Sequence, residues 1–124
     1  LDGAHNPHAV APLVATMKER YGQLDKQVLF TCIQTKAIEE MLEMWSGLEK
    51  SQLTLTTFED SRAYSVRDMQ EIAHLKGLPY QEWKLFLTHY LEKESQQSDL
   101  LLVTGSLYFL AQVRAFLIEK ISRS

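Results

Sequence analysis

Two short stretches of this chain carry residue types and spacings suited to chemistry. The first, Asp2-Gly3-Ala4-His5-Asn6-Pro7, places a carboxylate, a residue free to take positive φ, an imidazole and an amide immediately before a helix start. A carboxylate so placed accepts hydrogen bonds from ribose hydroxyls, and a helix N-terminus favours a phosphate or carboxylate. The same residues also read as a plain strand-to-helix turn with Asn6 as its N-cap. His5 beside the Asp-Gly pair tips the reading toward a ligand. The second stretch, Thr104-Gly105-Ser106, follows an apolar run and precedes the last helical segment. Its hydroxyls and backbone N–H groups suit the carboxylate of a small ligand, and Ser106 serves equally well as an ordinary helix cap.

Other chemistries lack their signatures. No Gly-x-Ser-x-Gly elbow surrounds Ser106, which speaks against a serine hydrolase. Neither G-x-x-x-x-G-K-[ST] nor G-x-G-x-x-G occurs, so the strongest phosphate-binding devices are not encoded in these residues. His8 reads as a surface residue of the first helical turn. His74 and His89 have no second ligand at metal spacing, and no zinc site is expected. Cys32, inside the apolar run Val28-Leu29-Phe30-Thr31-Cys32-Ile33, reads as a small core residue rather than a nucleophile.

The elements that must position these residues follow from hydrophobic periodicity. Residues 27–33 and 99–104 are continuous apolar runs, as expected of strands covered on both faces, the second being the most buried in character. Residues 52–58 alternate Leu and Thr, a pattern for a strand nearer an edge or half exposed. A first helix opens at Pro7, puts Val10, Leu13, Val14 and Met17 on one face, and ends near Gly22. A second runs from Lys36 through Ile38, Met41, Leu42 and Trp45 to Gly47. Ser65-Val66-Arg67-Asp68 has the form of a capping box and opens a third through Ile72 and Leu75 to Gly77. A fourth spans residues 83–93, and a fifth follows Ser106 with Leu110, Val113, Leu117 and Ile121 on its stripe; Leu78-Pro79-Tyr80 suggests a short extra strand. Such alternation predicts a single α/β domain over residues 1–124, a mostly parallel sheet with helices on both faces. A helix opening at Pro7 in such a fold should follow a strand, so the first strand is expected to be truncated or upstream and the chain to be part of something larger.

In an open parallel sheet, ligands sit beyond the carboxyl ends of the strands. Four loops then qualify: residues 2–6, 33–36, 58–64 and 104–106. Length and composition agree with an ordinary folded domain. The 124 residues are 45% hydrophobic and 23% charged, with a formal net charge of −3 and no basic cluster, which argues against nucleic acid as a partner. A single cysteine allows no disulfide within the chain and fits the reducing cytoplasm. No apolar stretch approaches the roughly 18 residues of a membrane span, so no membrane partner is expected.

Taken together, LDGAHNP near the start and LLLVTGSLYFLAQVR near the end resemble the carboxyl-terminal domain of the folylpolyglutamate synthases, whose bacterial forms are often also dihydrofolate synthases. The resemblance spans essentially the whole chain in order and spacing. The wider relatives are the Mur ligases, whose last domain has a similar Rossmann-like three-layer fold. The resemblance implies ATP-dependent amide ligation, in which the γ-carboxylate of a folate becomes an acyl phosphate that the amine of L-glutamate attacks. It implies ATP and Mg2+ as cofactors, held mainly by an N-terminal P-loop domain outside these residues, with no catalytic residue proper and no metal ligand here. Carried onto this sequence, Asp2 resembles the ATP ribose contact and His5 lines the nucleotide and glutamate side. Ser106 in GSLYF resembles the residue that holds the incoming glutamate, with Tyr108 beside it.

The middle of the chain departs from the family. Where relatives often read like FGALKDKD, this sequence has Phe30-Thr31-Cys32-Ile33-Gln34-Thr35-Lys36-Ala37, retaining Lys36 alone of the charged positions. Glu59-Asp60-Ser61-Arg62-Ala63 resembles a Pro-Arg-Ala segment with Ser61 for proline; Arg62 reads as a carboxylate or phosphate contact or as a solvated loop charge. Two rivals share the pattern: a Mur-type ligase acting on a peptidoglycan precursor, and a non-catalytic nucleotide- or metabolite-binding module.

Overall fold

The computed structural model describes residues 6–92 and 99–123. Three parallel strands form one sheet: β1 (Lys26–Phe30) at the centre, β2 (Ser51–Leu55) on one side and β3 (Leu100–Thr104) on the other. Five helices complete the order of elements among the described residues. They are α1 (Pro7–Tyr21), α2 (Ile38–Ser46), α3 (Val66–Leu75), α4 (Trp83–Glu92) and α5 (Leu107–Ser122).

Side-chain alternation along the strands creates two cores. Val28 and Phe30 of β1, Leu53 and Leu55 of β2, and Leu100 and Leu102 of β3 face α1, α2 and α3. Leu29 of β1 and Leu101 and Val103 of β3 face α4 and α5. A continuous apolar run is therefore what a strand between two helical layers requires. The helices answer with 3.6-residue stripes: Val10, Val14 and Met17 on α1, and Ile38, Met41, Leu42 and Trp45 on α2. Each large side chain fully withdrawn from water here contributes roughly 1.5–3 kcal/mol.

Local signals set the helix ends. Asn6 accepts a hydrogen bond from Ala9 N–H at 2.9 Å, as an N-cap should, and Pro7 occupies the first turn, where a missing N–H costs nothing. Ser65 accepts from Asp68 N–H at 3.1 Å. Pro12 deprives the His8 carbonyl of its helical donor, and both residues lie on the exposed side of α1, where water serves instead.

Several sequence expectations need adjustment. The strand expected over 27–33 ends at Phe30, and beyond it Ile33 pairs instead with the loop after β2, in an isolated antiparallel bridge with Ala63. The alternating strand ends at Leu55 and lies at a sheet edge among the described residues, as expected, yet the threonines of the alternating run are not solvent-facing: Thr54 and, just beyond the strand, Thr56 are buried. β3, expected to be the most buried strand, is an edge among the described residues with Leu100, Leu101 and Leu102 half-buried; the central β1 is the most buried. Lys36 lies in the turn before α2 rather than within it. The extra strand at Leu78-Pro79-Tyr80 is a single parallel bridge between Tyr80 and Leu55. The expected end of α4 at Lys93 and the strand expected before Pro7 fall outside the described residues.

Candidate functional site

All three strands point their carboxyl ends toward one side of the sheet, and the loops that follow them meet there. The close approach of β1 and β3 depends on Gly105. Its φ is +141°, and a Cβ on it would lie 2.1 Å from the Thr31 carbonyl oxygen, so any side chain would collide with backbone. The approach leaves the hydroxyls of Thr31 and Thr104 wholly buried and without a hydrogen-bond partner among the described residues. Such groups are costly unless something supplies the bond.

Ser106 follows directly. It is 3% exposed, and its Oγ accepts from Tyr108 N–H at 3.2 Å, making it the N-cap of α5. A capping oxygen keeps its own O–H free to donate. The first turn of α5 thus combines a helix-dipole positive end with a hydroxyl donor.

The loop between β2 and α3 brings a cation to the same place. Arg62 lies with its guanidinium carbon 4.2 Å from the centre of the Tyr108 ring, a cation–π contact beside the first turn of α5. Asp60 holds it there: Nε and Nη2 of Arg62 donate to the two Asp60 carboxylate oxygens, each at 2.9 Å. Those hydrogen bonds from Arg62 pull the Asp60 carboxyl down to about 2. Arg62 is raised in turn, first by Asp60 and in smaller measure by Tyr108.

The loops are cross-tied by Gln34, Tyr64 and Gln112. Gln34 N–H donates to the Arg62 carbonyl at 2.8 Å, and its side-chain amide donates to the Ala63 carbonyl at 3.1 Å. Tyr64 uses one hydroxyl twice, donating to the Thr35 carbonyl at 2.9 Å and accepting from Thr35 N–H at 3.1 Å. Burial raises the Tyr64 pKa, which keeps that hydroxyl protonated as the bond requires. On the far side, Gln112 of α5 donates to the Glu59 carbonyl at 2.8 Å. Gln34 and Thr35 thus have a structural task in holding the Arg62 loop.

Of the residues singled out from sequence, Ser106, Tyr108 and Arg62 come together. Lys36 is exposed on the adjoining 31–37 loop and makes no hydrogen bond or ion pair among the described residues. Asp2 and His5 lie outside the described residues. Asp60 was missed, although an aspartate two residues before an arginine in a polar loop is a recognisable turn signal. The buried Thr31 was missed as well, because in sequence it is one member of an apolar run. Cys32 is a core residue as expected, its thiol pushed up to about 12 by burial. Among the described residues, no group of three or more His, Cys, Asp or Glu side chains is placed to hold a metal ion. No helix of the described residues is long and apolar enough to cross a membrane.

Comparison with known proteins gives this arrangement its context. The family model for the Mur ligase, glutamate ligase domain, matches residues 1–107. A dihydrofolate synthase/folylpolyglutamate synthase of Bacillus subtilis (strain 168) is 26% identical over 114 residues, covering 92% of this chain and 26% of the relative. This chain therefore spans about a quarter of that protein's length. Among solved structures, the folylpolyglutamate synthase of Thermotoga maritima superposes with a TM-score of 0.73 at 26% identity, over 95% of this chain and 27% of that one. The E. coli FolC protein in complex with ADP shares the fold, with a TM-score of 0.77 at 21% identity over 98% of this chain and 29% of its own.

Proposed function

The chain belongs to the Mur ligase, glutamate ligase domain family, and on that premise we propose that it is the nucleotide- and glutamate-contacting domain of a longer ATP-dependent folate ligase. The reaction joins L-glutamate to the γ-carboxylate of a folate, as in a folylpolyglutamate synthase that is also a dihydrofolate synthase. A folate carboxylate oxygen takes the terminal phosphoryl group of ATP, ADP leaves, and the glutamate amine then attacks the acyl carbon, with loss of phosphate and a proton. ATP and a divalent metal, magnesium, are held mainly by the remainder of the protein. Its place is the cytoplasm, consistent with a single buried, reduced thiol.

The observation that carries this reading is the conjunction at the start of α5. Incoming glutamate needs an anchor for its anionic end while its amine stays unprotonated. The Ser106 hydroxyl, the helix N-terminus and the Arg62 guanidinium over Tyr108 form a compact carboxylate receptor of that kind. His5 is assigned to the nucleotide and glutamate side, Asp2 to the ATP ribose hydroxyls, and Lys36 is the further cation for the anionic ligands. Closing such a domain over its partner excludes water from the acyl phosphate and aligns the nucleophile. A Mur-type ligase shares this chemistry on a peptidoglycan precursor; the B. subtilis and T. maritima relatives favour folate.

The test is kinetic, in the full-length protein. Ser106→Ala is expected to raise the apparent KM for L-glutamate several-fold, about 1 kcal/mol of binding, and to leave that for ATP nearly unchanged. Equal effects on both substrates would defeat the assignment. Asp2→Ala should weaken ATP use with little change for glutamate, and unaltered nucleotide kinetics would remove Asp2 from the site.

A further inference from the structure

The contact between Asp60 and Arg62 is more constrained than a solvated loop pair requires. Besides the two side-chain bonds, Asp60 Oδ1 accepts from the Arg62 backbone N–H at 2.8 Å, so both ends of the arginine are held by one carboxylate. The two-pronged bond defines the plane of the guanidinium, and the Tyr108 ring supports its face. The acid is the sheltered partner, with its side chain 15% exposed against 49% for Arg62. Asp60 takes Nε and Nη2 and leaves Nη1. A freely rotating arginine loses much rotamer entropy when it binds a carboxylate, whereas one already oriented loses little.

We propose that Asp60 is a positioning residue for the amino-acid substrate: it locks Arg62 over Tyr108 so that the free edge of the guanidinium meets a carboxylate of the incoming glutamate at the start of α5. The inference rests on the reading of that helix start as the glutamate site. Asp60 itself touches no substrate. Its whole contribution passes through Arg62, which separates it from a residue that binds glutamate directly or merely supports the loop.

A double-mutant cycle in the full-length protein tests this. Asp60→Asn retains an oxygen for the Arg62 backbone N–H but loses the charge and the second acceptor. It is expected to raise the apparent KM for L-glutamate about tenfold, leaving the KM for ATP and the thermal midpoint unchanged. Arg62→Ala should raise the glutamate KM at least as much, and adding Asp60→Asn to it should bring no further change. Arg62→Lys, which keeps the charge but cannot span both oxygens, should reproduce most of the Asp60→Asn effect. The proposal is overturned if Asp60→Asn leaves the glutamate KM unmoved while Arg62→Ala raises it; the glutamate site would then stand without it. It is equally overturned if Asp60→Asn has its full effect in the Arg62→Ala background, or if Arg62→Lys behaves as the unmodified protein. If neither Arg62→Ala nor Ser106→Ala moves the glutamate KM, the site assignment itself fails.

Discussion

The two ends of the sheet differ in how their polar groups are used. At the amino end, Lys26 is 2% exposed, and its ammonium donates to the carbonyls of Tyr21 at 3.0 Å and Leu24 at 2.8 Å. That closes the chain leaving α1 and sets a positive charge at the helix's negative end. Asp25 and Asp99 tie β1 to β3 there, the Asp25 N–H donating to Asp99 Oδ2 at 3.1 Å and the Asp99 N–H to the Asp25 carbonyl at 2.8 Å. At the carboxyl end, Thr31 and Thr104 are buried without partners among the described residues. Ser106 keeps a donor there, and Arg62 has a nitrogen that Asp60 does not take. The Trp45 Nε1–H, in the α1–α3 core, is likewise buried without a partner among the described residues, so what sets the carboxyl end apart is the Ser106 donor and the Arg62 nitrogen beside it.

Substitutions at the two ends sharpen the contrast. The largest effect is expected of Gly105→Ala at the carboxyl end. Its new methyl collides with the Thr31 carbonyl and its φ is one that L residues rarely adopt, so a loss of about 3 kcal/mol is expected in urea unfolding. A loss under about 1 kcal/mol would show that β1 and β3 can separate cheaply and that the close approach is not a requirement.

Lys26→Met at the amino end retains the apolar stem but removes the ammonium donor of the Leu24 carbonyl and leaves the Tyr21 carbonyl with the Leu24 N–H alone. Stability should fall by about 2 kcal/mol, with the KM values for glutamate and ATP unchanged in the full-length protein. Altered kinetics at full folding would break the division between a structural end and a binding end.

The smallest effect concerns Cys32, just beyond the carboxyl end of β1 and packed in the α1–α3 core. With its thiol near 12 and its side chain buried, native protein at pH 8 should resist iodoacetamide and react only when unfolded. Because the folded pKa lies above the unfolded value of 9.0, the thiol leaves stability unaffected below about pH 9 and lowers it as pH rises from there toward about 12. Rapid native alkylation would place Cys32 in an open loop rather than in the core.

The α/β class was legible because β1 and β3 bury both faces and therefore carry unbroken apolar runs, while α1 and α2 repeat at 3.6 residues. The helix starts at Pro7, Val66 and Leu107 were legible from Asn6, Ser65 and Ser106, since capping is a contact within four residues. Ser106, Tyr108 and Arg62 were found through two loop motifs and their likeness to a family. The burial of Thr54 in β2 and of Thr56 just beyond it was not legible, because an alternating strand looks the same whether its polar face meets water or a second helical layer. Nor was the edge position of β3 among the described residues, since strand order depends on which neighbours pair and not on the strand's own residues.

By itself, then, the sequence determined the order of strands and helices, the caps, and the loops rich enough in polar residues to bind an anion, all of them local or periodic properties. Tertiary structure alone decided that Arg62 lies on Tyr108, 46 residues away in sequence, that Gly105 must be bare to pass Thr31, and that Gln34 and Thr35 hold the Arg62 loop. Contacts between distant residues are fixed by strand pairing and layer packing, and the chain carries no local record of them.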